Sequence, residues 1–174
     1  MSKELDLAAP LAEAVRQALG ALAAFSGQPA RLLDGQVTGS REALQAPALD
    51  QVIGPAVRVG PPLEGQSLVL LHPDDAQQLC HWLLRQELEL STALARSALQ
   101  EAGNLLVSNL LSQLGAPVDE QLPGVPRVVQ GRASEILGSL RIEGYSLVSC
   151  RFMLGDLHGN WVTLGPEASL KPLL

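Results

Sequence analysis

The chain repeats itself. At an offset of 88 residues, Leu11 falls on Leu99, Glu13 on Glu101 and Leu22 on Leu110, and Gly27-Gln28-Pro29 falls on Gly115-Ala116-Pro117. Further on, SLVLLHPDDA (67–76) and WVTLGPEA (161–168) share a strand–proline–acid ending, with a few residues inserted. A unit of about 90 residues struggles to bury its own core. Duplicated units of that kind cover each other's apolar faces. The expectation is therefore a single domain over 1–174, built of two pseudo-repeats at about 4–88 and 89–174. The halves should intertwine about a pseudo-two-fold axis, with one continuous sheet and two equivalent long helices.

Local patterns supply the elements. Leu11, Val15, Leu19 and Leu22 recur at three and four, which predicts a helix over 4–25, with Pro10 suited to an early helical position. Residues 26–29 end it. Strands are predicted at 30–38, 51–59 and 67–71, with a loop between the first two and a turn at 60–65. Pro73-Asp74-Asp75 opens a helix with Trp82 and Leu83 on its apolar side, and a long helix is predicted over 89–114, stopped by Gly115 and Pro117. The second half then follows the first. A loop runs to Pro126, VVQGRASEILGSL reads as a short helix, and 145–153 alternates as a strand. A turn is predicted at 156–160, a strand at 161–164, and a last helix from Pro166-Glu167.

Composition narrows the function. The chain is 47% hydrophobic and 17% charged, which excludes a disordered polymer. Aromatics are only 3%, so Leu, Val and Ala must fill the core. A net charge of −6 with no basic block argues against nucleic acid or an anionic membrane surface as partner. No apolar run reaches the length of a membrane span. The N-terminal MSKELDLAAP lacks the parts of a signal peptide, so a cytoplasmic protein is expected. Cys80 and Cys150 form no CxxC pattern and read as reduced core thiols. His72, His81 and His158 fall on separate elements without metal spacing, so no metal site is expected. Asp74, Asp75 and Asp156 read as turn and cap residues.

The polar residues of the second long helix are less ordinary. Ser97, Glu101 and Asn104 stand at spacings of four and three, and Pro126 follows twenty-two residues beyond Asn104. On a helical wheel Ser97, Asn104, Ser108 and Ser112 lie within about 60° of Glu101, with Leu99, Leu106 and Leu110 on the far side. Ala98 and Leu105 border this stripe on one side and Leu111 on the other. Solvated helix faces usually carry Lys, Glu and Arg. Ser and Asn are weaker helix formers and suggest another use. Under the 88-residue offset, Ser97, Glu101, Asn104 and Pro126 align with Ala9, Glu13, Arg16 and Thr38. One half holds the whole constellation and the other keeps only the acid.

Ser-x3-Glu-x2-Asn with a proline after twenty-one more residues resembles the signature of the CheC/CheX/FliY phosphatases of bacterial chemotaxis. EAGNLLVSN is similar to that family's Glu-x-Gly-Asn-Ile-x-x-Gly-Asn, with Ser108 in place of the second glycine. The resemblance implies an α+β, CheC-like fold with a mostly antiparallel sheet and two long helices presenting the site. It also implies hydrolysis of the aspartyl phosphate of a CheY-like response regulator. Glu101 and Asn104 would be the catalytic pair, Asn104 orienting the attacking water and Glu101 meeting the receiver's lysine. Ser97 and Pro126 would shape the site, and Ala98, Leu105, Ser108 and Leu111 would border the docking surface. Glu13 and Arg16 would mark a degenerate second site, because a guanidinium cannot accept a proton from water. No cofactor of the protein's own is implied; Mg2+ would come with the receiver. The resemblance also admits a CheD-like partner and leaves a homodimer open. Arg127, beside Pro126, reads either as a phosphate contact or as an ordinary solvated residue. The rival implication is a non-catalytic adaptor or flagellar-switch component, although switch scaffolds of this kind lack Glu-x-x-Asn.

Overall fold

The computed structural model describes residues 5–6, 9–38, 51–60, 64–115, 124–140 and 144–170. The loop expected over 39–50 lies outside them. In chain order the elements are β1 (Leu5–Asp6), α1 (Ala9–Ser26), β2 (Ala30–Thr38), β3 (Val52–Val59), β4 (Gly65–Leu71), α2 (Pro73–Leu84), α3 (Ala93–Gln113), β5 (Arg127–Gly131), α4 (Ala133–Gly138), β6 (Tyr145–Leu154), β7 (Leu157–Pro166) and α5 (Glu167–Leu170).

The seven strands form one sheet in the order β1-β2-β6-β7-β4-β3-β5. Every neighbouring pair is antiparallel. Leaving aside the two-residue β1, this order reads the same from either end if β2 is exchanged with β5, β3 with β6 and β4 with β7. Each half therefore sends its first strand across to the other half: β2 pairs with β6, and β5 with β3. The halves meet where β4 pairs with β7. The α+β, duplicated, antiparallel architecture is thus present, with α1 and α3 as its two long helices.

The sheet has a covered face on each side. On one side α1, α2 and α3 bury Leu11, Leu19, Leu22, Leu99, Leu106 and Leu110 against β-strand residues such as Val57, Val148, Phe152 and Trp161. Fully burying each such leucine is worth roughly 2–3 kcal/mol, and these side chains clamp α3 to the sheet. On the other side the short α4 covers Val52, Ala56, Leu68, Leu70, Leu147, Val162 and Leu164. At the central β4–β7 ladder the buried Ser67 and Thr163 face each other with hydroxyls 3.2 Å apart, and the Trp161 indole N–H donates to Ser67 Oγ. These buried polar groups have partners, as burial requires.

Caps explain where the helices begin and stop. Thr92 Oγ1 accepts the Ala95 N–H at 3.2 Å, so α3 begins at Ala93 rather than at 89. Gly27 and Gly115, with φ of +74° and +79°, close α1 and α3 in a conformation that costs other residues energy. Asp74 and Asp75 sit in the first turn of α2, with Pro73 at its start.

Three local expectations are corrected. Arg127–Gly131 is a strand, so VVQGRASEILGSL divides at Arg132 into β5 and the one-and-a-half-turn α4. The β6–β7 connection is the two residues Gly155-Asp156, and 157–160 already belong to β7. Thr38 is the last residue of β2, whereas Pro126 directly precedes β5, so the two are not structural counterparts. The inserted residues between α3 and β5 break the helices' offset before it reaches the strands.

Cys80 and Cys150 are free and buried. Burial pushes the Cys80 thiol up to about 11 and the Cys150 thiol up to about 12. At pH 8 neither forms appreciable thiolate, the reactive species. Iodoacetamide at that pH should therefore leave the native protein unmodified and alkylate both cysteines after denaturation, which intact-mass measurement reads directly.

Candidate functional site

The stripe on α3 is built from underneath. Gly103 lies in the buried seam between α3 and β3. A Cβ there would meet Pro55 Cβ at 2.6 Å and Cγ at 2.9 Å. The glycine of EAGN is thus a packing glycine, letting the helix settle on the proline ring. Glu101, two residues before it, faces solvent, and Asn104, next to it, lies at the edge of the seam.

Ser97 and Glu101 are exposed, and Asn104 is half-buried. Among the described residues the Glu101 carboxylate has no hydrogen bond or ion pair within the chain. Asn104 Oδ1 is turned inward, buried and without a hydrogen-bond partner. An acceptor buried in that way costs about 1–3 kcal/mol. A half-turn of the amide exchanges its oxygen and nitrogen, so the group can offer either an acceptor or a donor outward.

Pro126 is brought to the same helix. Its carbonyl accepts a hydrogen bond from Gln100 Nε2 at 3.1 Å, next to Glu101 in sequence. One turn earlier, Arg96 reaches across to Gln130 Oε1 at 3.3 Å. These two contacts fasten β5 and the residues before it along the flank of α3. Gln100 escaped the sequence reading because it falls off the polar stripe on the wheel.

The flanking positions divide. Ala98 and Leu111 are buried, at 6% and 0% exposure, so neither is available to a partner. Neighbouring elements close over both sides of the stripe and make it narrower than the wheel suggests. Leu105 and Ser108 are half-buried. Leu94, seven residues before Glu101 and on the same stripe, is 47% exposed. It is an apolar surface residue that the sequence reading missed, although its spacing from Glu101 was a readable signal.

The matching stretch of α1 is closed on itself. Arg16 Nη1 lies 3.7 Å from Glu13 Oε2, and Gln17 Nε2 donates to Glu13 Oε1 at 2.8 Å. Glu13 thus has two neighbours from its own helix, one of them the Arg16 guanidinium at the position that aligns with Asn104.

Among the described residues, no group of three or more His, Cys, Asp or Glu side chains is placed to hold a metal ion. His72 Nδ1 instead accepts the Asp74 N–H at 3.2 Å and caps α2. No helix among these residues is long and apolar enough to cross a membrane.

Comparison with solved structures identifies the fold as CheC/CheX/FliY-like. The solved chain of Thermotoga maritima FliY superposes with a TM-score of 0.65 at 13% identity, covering 92% of this chain and 87% of that one. A CheC-like superfamily protein from Shewanella sp. PV-4 matches with a TM-score of 0.64 at 11% identity, covering 91% of this chain and 99% of the other. A chain of the CheX–CheY–BeF3–Mg2+ complex from Borrelia burgdorferi matches with a TM-score of 0.56 at 15% identity, covering 90% and 96%. A chain of the FliG–FliM complex of Helicobacter pylori also matches, with a TM-score of 0.59. No protein-family model matches the sequence. No curated protein matches it either.

Proposed function

We propose that the chain is a phosphatase for the aspartyl phosphate of a CheY-like receiver domain, working through α3 alone. The observation that carries this is the contrast between two equivalent helices. Glu13 is bound by Arg16 and Gln17, whereas among the described residues Glu101 is exposed and unpaired, with the unpartnered Asn104 Oδ1 one turn away. An acyl phosphate is already labile in water, so catalysis needs positioning more than covalent chemistry. In this reading the Asn104 amide holds a water in line with the phosphorus. Glu101 pairs with the receiver's lysine and fixes the docking. Leu94 and Leu105 supply apolar contact beside it. The receiver brings its own Mg2+, and Ser97 and Pro126 shape the margins of the site. Support from a solved neighbour is that a CheX of this fold was crystallised with CheY.

The second reading is a non-catalytic adaptor in a flagellar switch or bound to a CheD-like protein. It is favoured by the FliM neighbour, which was solved with FliG. The two separate cleanly. Phosphorylated receivers from the same genome are mixed with the protein and loss of phosphate is followed. An enzyme accelerates the loss for at least one receiver. An adaptor gives binding without acceleration, and Glu101→Ala with Asn104→Ala leaves its binding and assembly unchanged.

A further inference from the structure

We infer a second binding site, for a tetrahedral oxyanion of the phosphate class, on the sheet face opposite α3. A cavity of about 170 Å³ lies at the β3–β4–β5 end of the sheet, lined by Ala56, Val57, Arg58, Gln66, Val125 and Arg127. That is room for a hydrated anion, since one water needs only about 10–15 Å³ measured in the same way.

Its two arginines are placed by the ladders. Arg127 stands opposite Ala56, and Arg58 stands opposite Gln66. Ala56 belongs to the core beneath α4, so Arg58, two residues on, and Arg127, across from Ala56, share that face. Arg127 is therefore not a contact of the Glu101–Asn104 stripe. Diagonal neighbours in a ladder lie roughly 7–8 Å apart, within reach of long side chains meeting at one ligand.

Both arginines are exposed, and among the described residues neither side chain has an acid partner or a hydrogen bond. This is unexpected in a chain with 18 acids against 12 bases. Arg58 is also the one exposed position in a strand that is otherwise buried. Two like charges side by side on a sheet repel, and a shared anion relieves them. Guanidinium groups are the preferred donors to phosphate. Two of them with the Gln66 carboxamide offer donors from several sides, more than the two oxygens of a carboxylate would use.

The residue before Val125 is fastened to β3 beside the cavity. The Gly124 N–H donates to the Arg58 carbonyl at 3.0 Å. A Cβ at Gly124 would approach Arg58 Cβ at 2.9 Å, so a glycine is what lets the chain close over this arginine. Val125, 94% exposed, forms an apolar rim.

The test is calorimetric titration of the intact protein with inorganic phosphate at constant ionic strength, with acetate as the planar control. Saturable phosphate binding is expected, weakened about tenfold or more by Arg58→Gln and by Arg127→Gln, with Arg31→Gln at the far end of the sheet unchanged. The inference is overturned if phosphate does not bind saturably or acetate binds equally well. It is also overturned if Arg31→Gln weakens binding as much as the two cavity variants do. Receiver dephosphorylation is not the readout, so this result stands or falls apart from the α3 reading.

Discussion

Asn104→Ala should abolish acceleration of receiver dephosphorylation while leaving the fold at least as stable as before. The two effects have separate causes. The amide is assigned the task of holding water, and misplacing a reacting group by about 1 Å can already cost on the order of 100-fold. A loss of about 100-fold or more is therefore expected. Stability moves the other way. The substitution removes a buried carbonyl oxygen with no partner, a feature that costs about 1–3 kcal/mol. It also replaces asparagine by a better helix former, worth roughly 0.5 kcal/mol. Thermal unfolding should show a midpoint unchanged or raised by a few degrees, at about 2–4 °C per kcal/mol for a domain of this size. A residue kept at a cost to the fold is a residue kept for something else. If Asn104→Ala lost both activity and several degrees of stability, the asparagine would be a structural residue.

Gly103→Ala should damage the protein from beneath the site. In an exposed helix the change would stabilise by about 1 kcal/mol. Here the new methyl carbon would sit 2.6 Å from Pro55 Cβ and 3.2 Å from Val57 Cγ2. Neither neighbour can retreat easily: Pro55 is a rigid ring in β3, which is paired on both sides by β4 and β5. Overpacking of this kind costs about 1–3 kcal/mol. The expected net result is a drop of several degrees in the unfolding midpoint. Because α3 must lift from β3 to relieve the clash, receiver dephosphorylation should fall as well. Gly20→Ala on α1 is the internal control. A Cβ there meets nothing within 4 Å, so the protein should gain stability and keep its activity.

Much of this is legible in the sequence. The offset that aligned Leu11 with Leu99 carried the architecture, in which each half lends its first strand to the other. The asymmetry of the site was legible in the same way, as Asn104 set against Arg16. The capture of Glu13 by Arg16 and Gln17 was also accessible, since partners three and four residues apart meet on a helix. What failed depended on contacts distant in sequence. β5 is a half-buried strand that, among the described residues, pairs with β3 alone, as Val52 with Gly131, so five residues ending in glycine gave no periodicity to set against helix. Ala98 and Leu111 lie at the margins of the wheel, where the packing of neighbouring elements decides burial. The Gly103–Pro55 seam joins residues nearly fifty positions apart, and the sequence signals neither that approach nor the tie from Gln100 to Pro126.

The most direct test is the rate of phosphate loss from phosphorylated receiver domains, measured with wild type, Asn104→Ala and Arg16→Ala side by side. The account predicts acceleration by wild type and by Arg16→Ala, and the spontaneous rate with Asn104→Ala. Undiminished acceleration by Asn104→Ala, or its loss with Arg16→Ala in a normally folded protein, would contradict it.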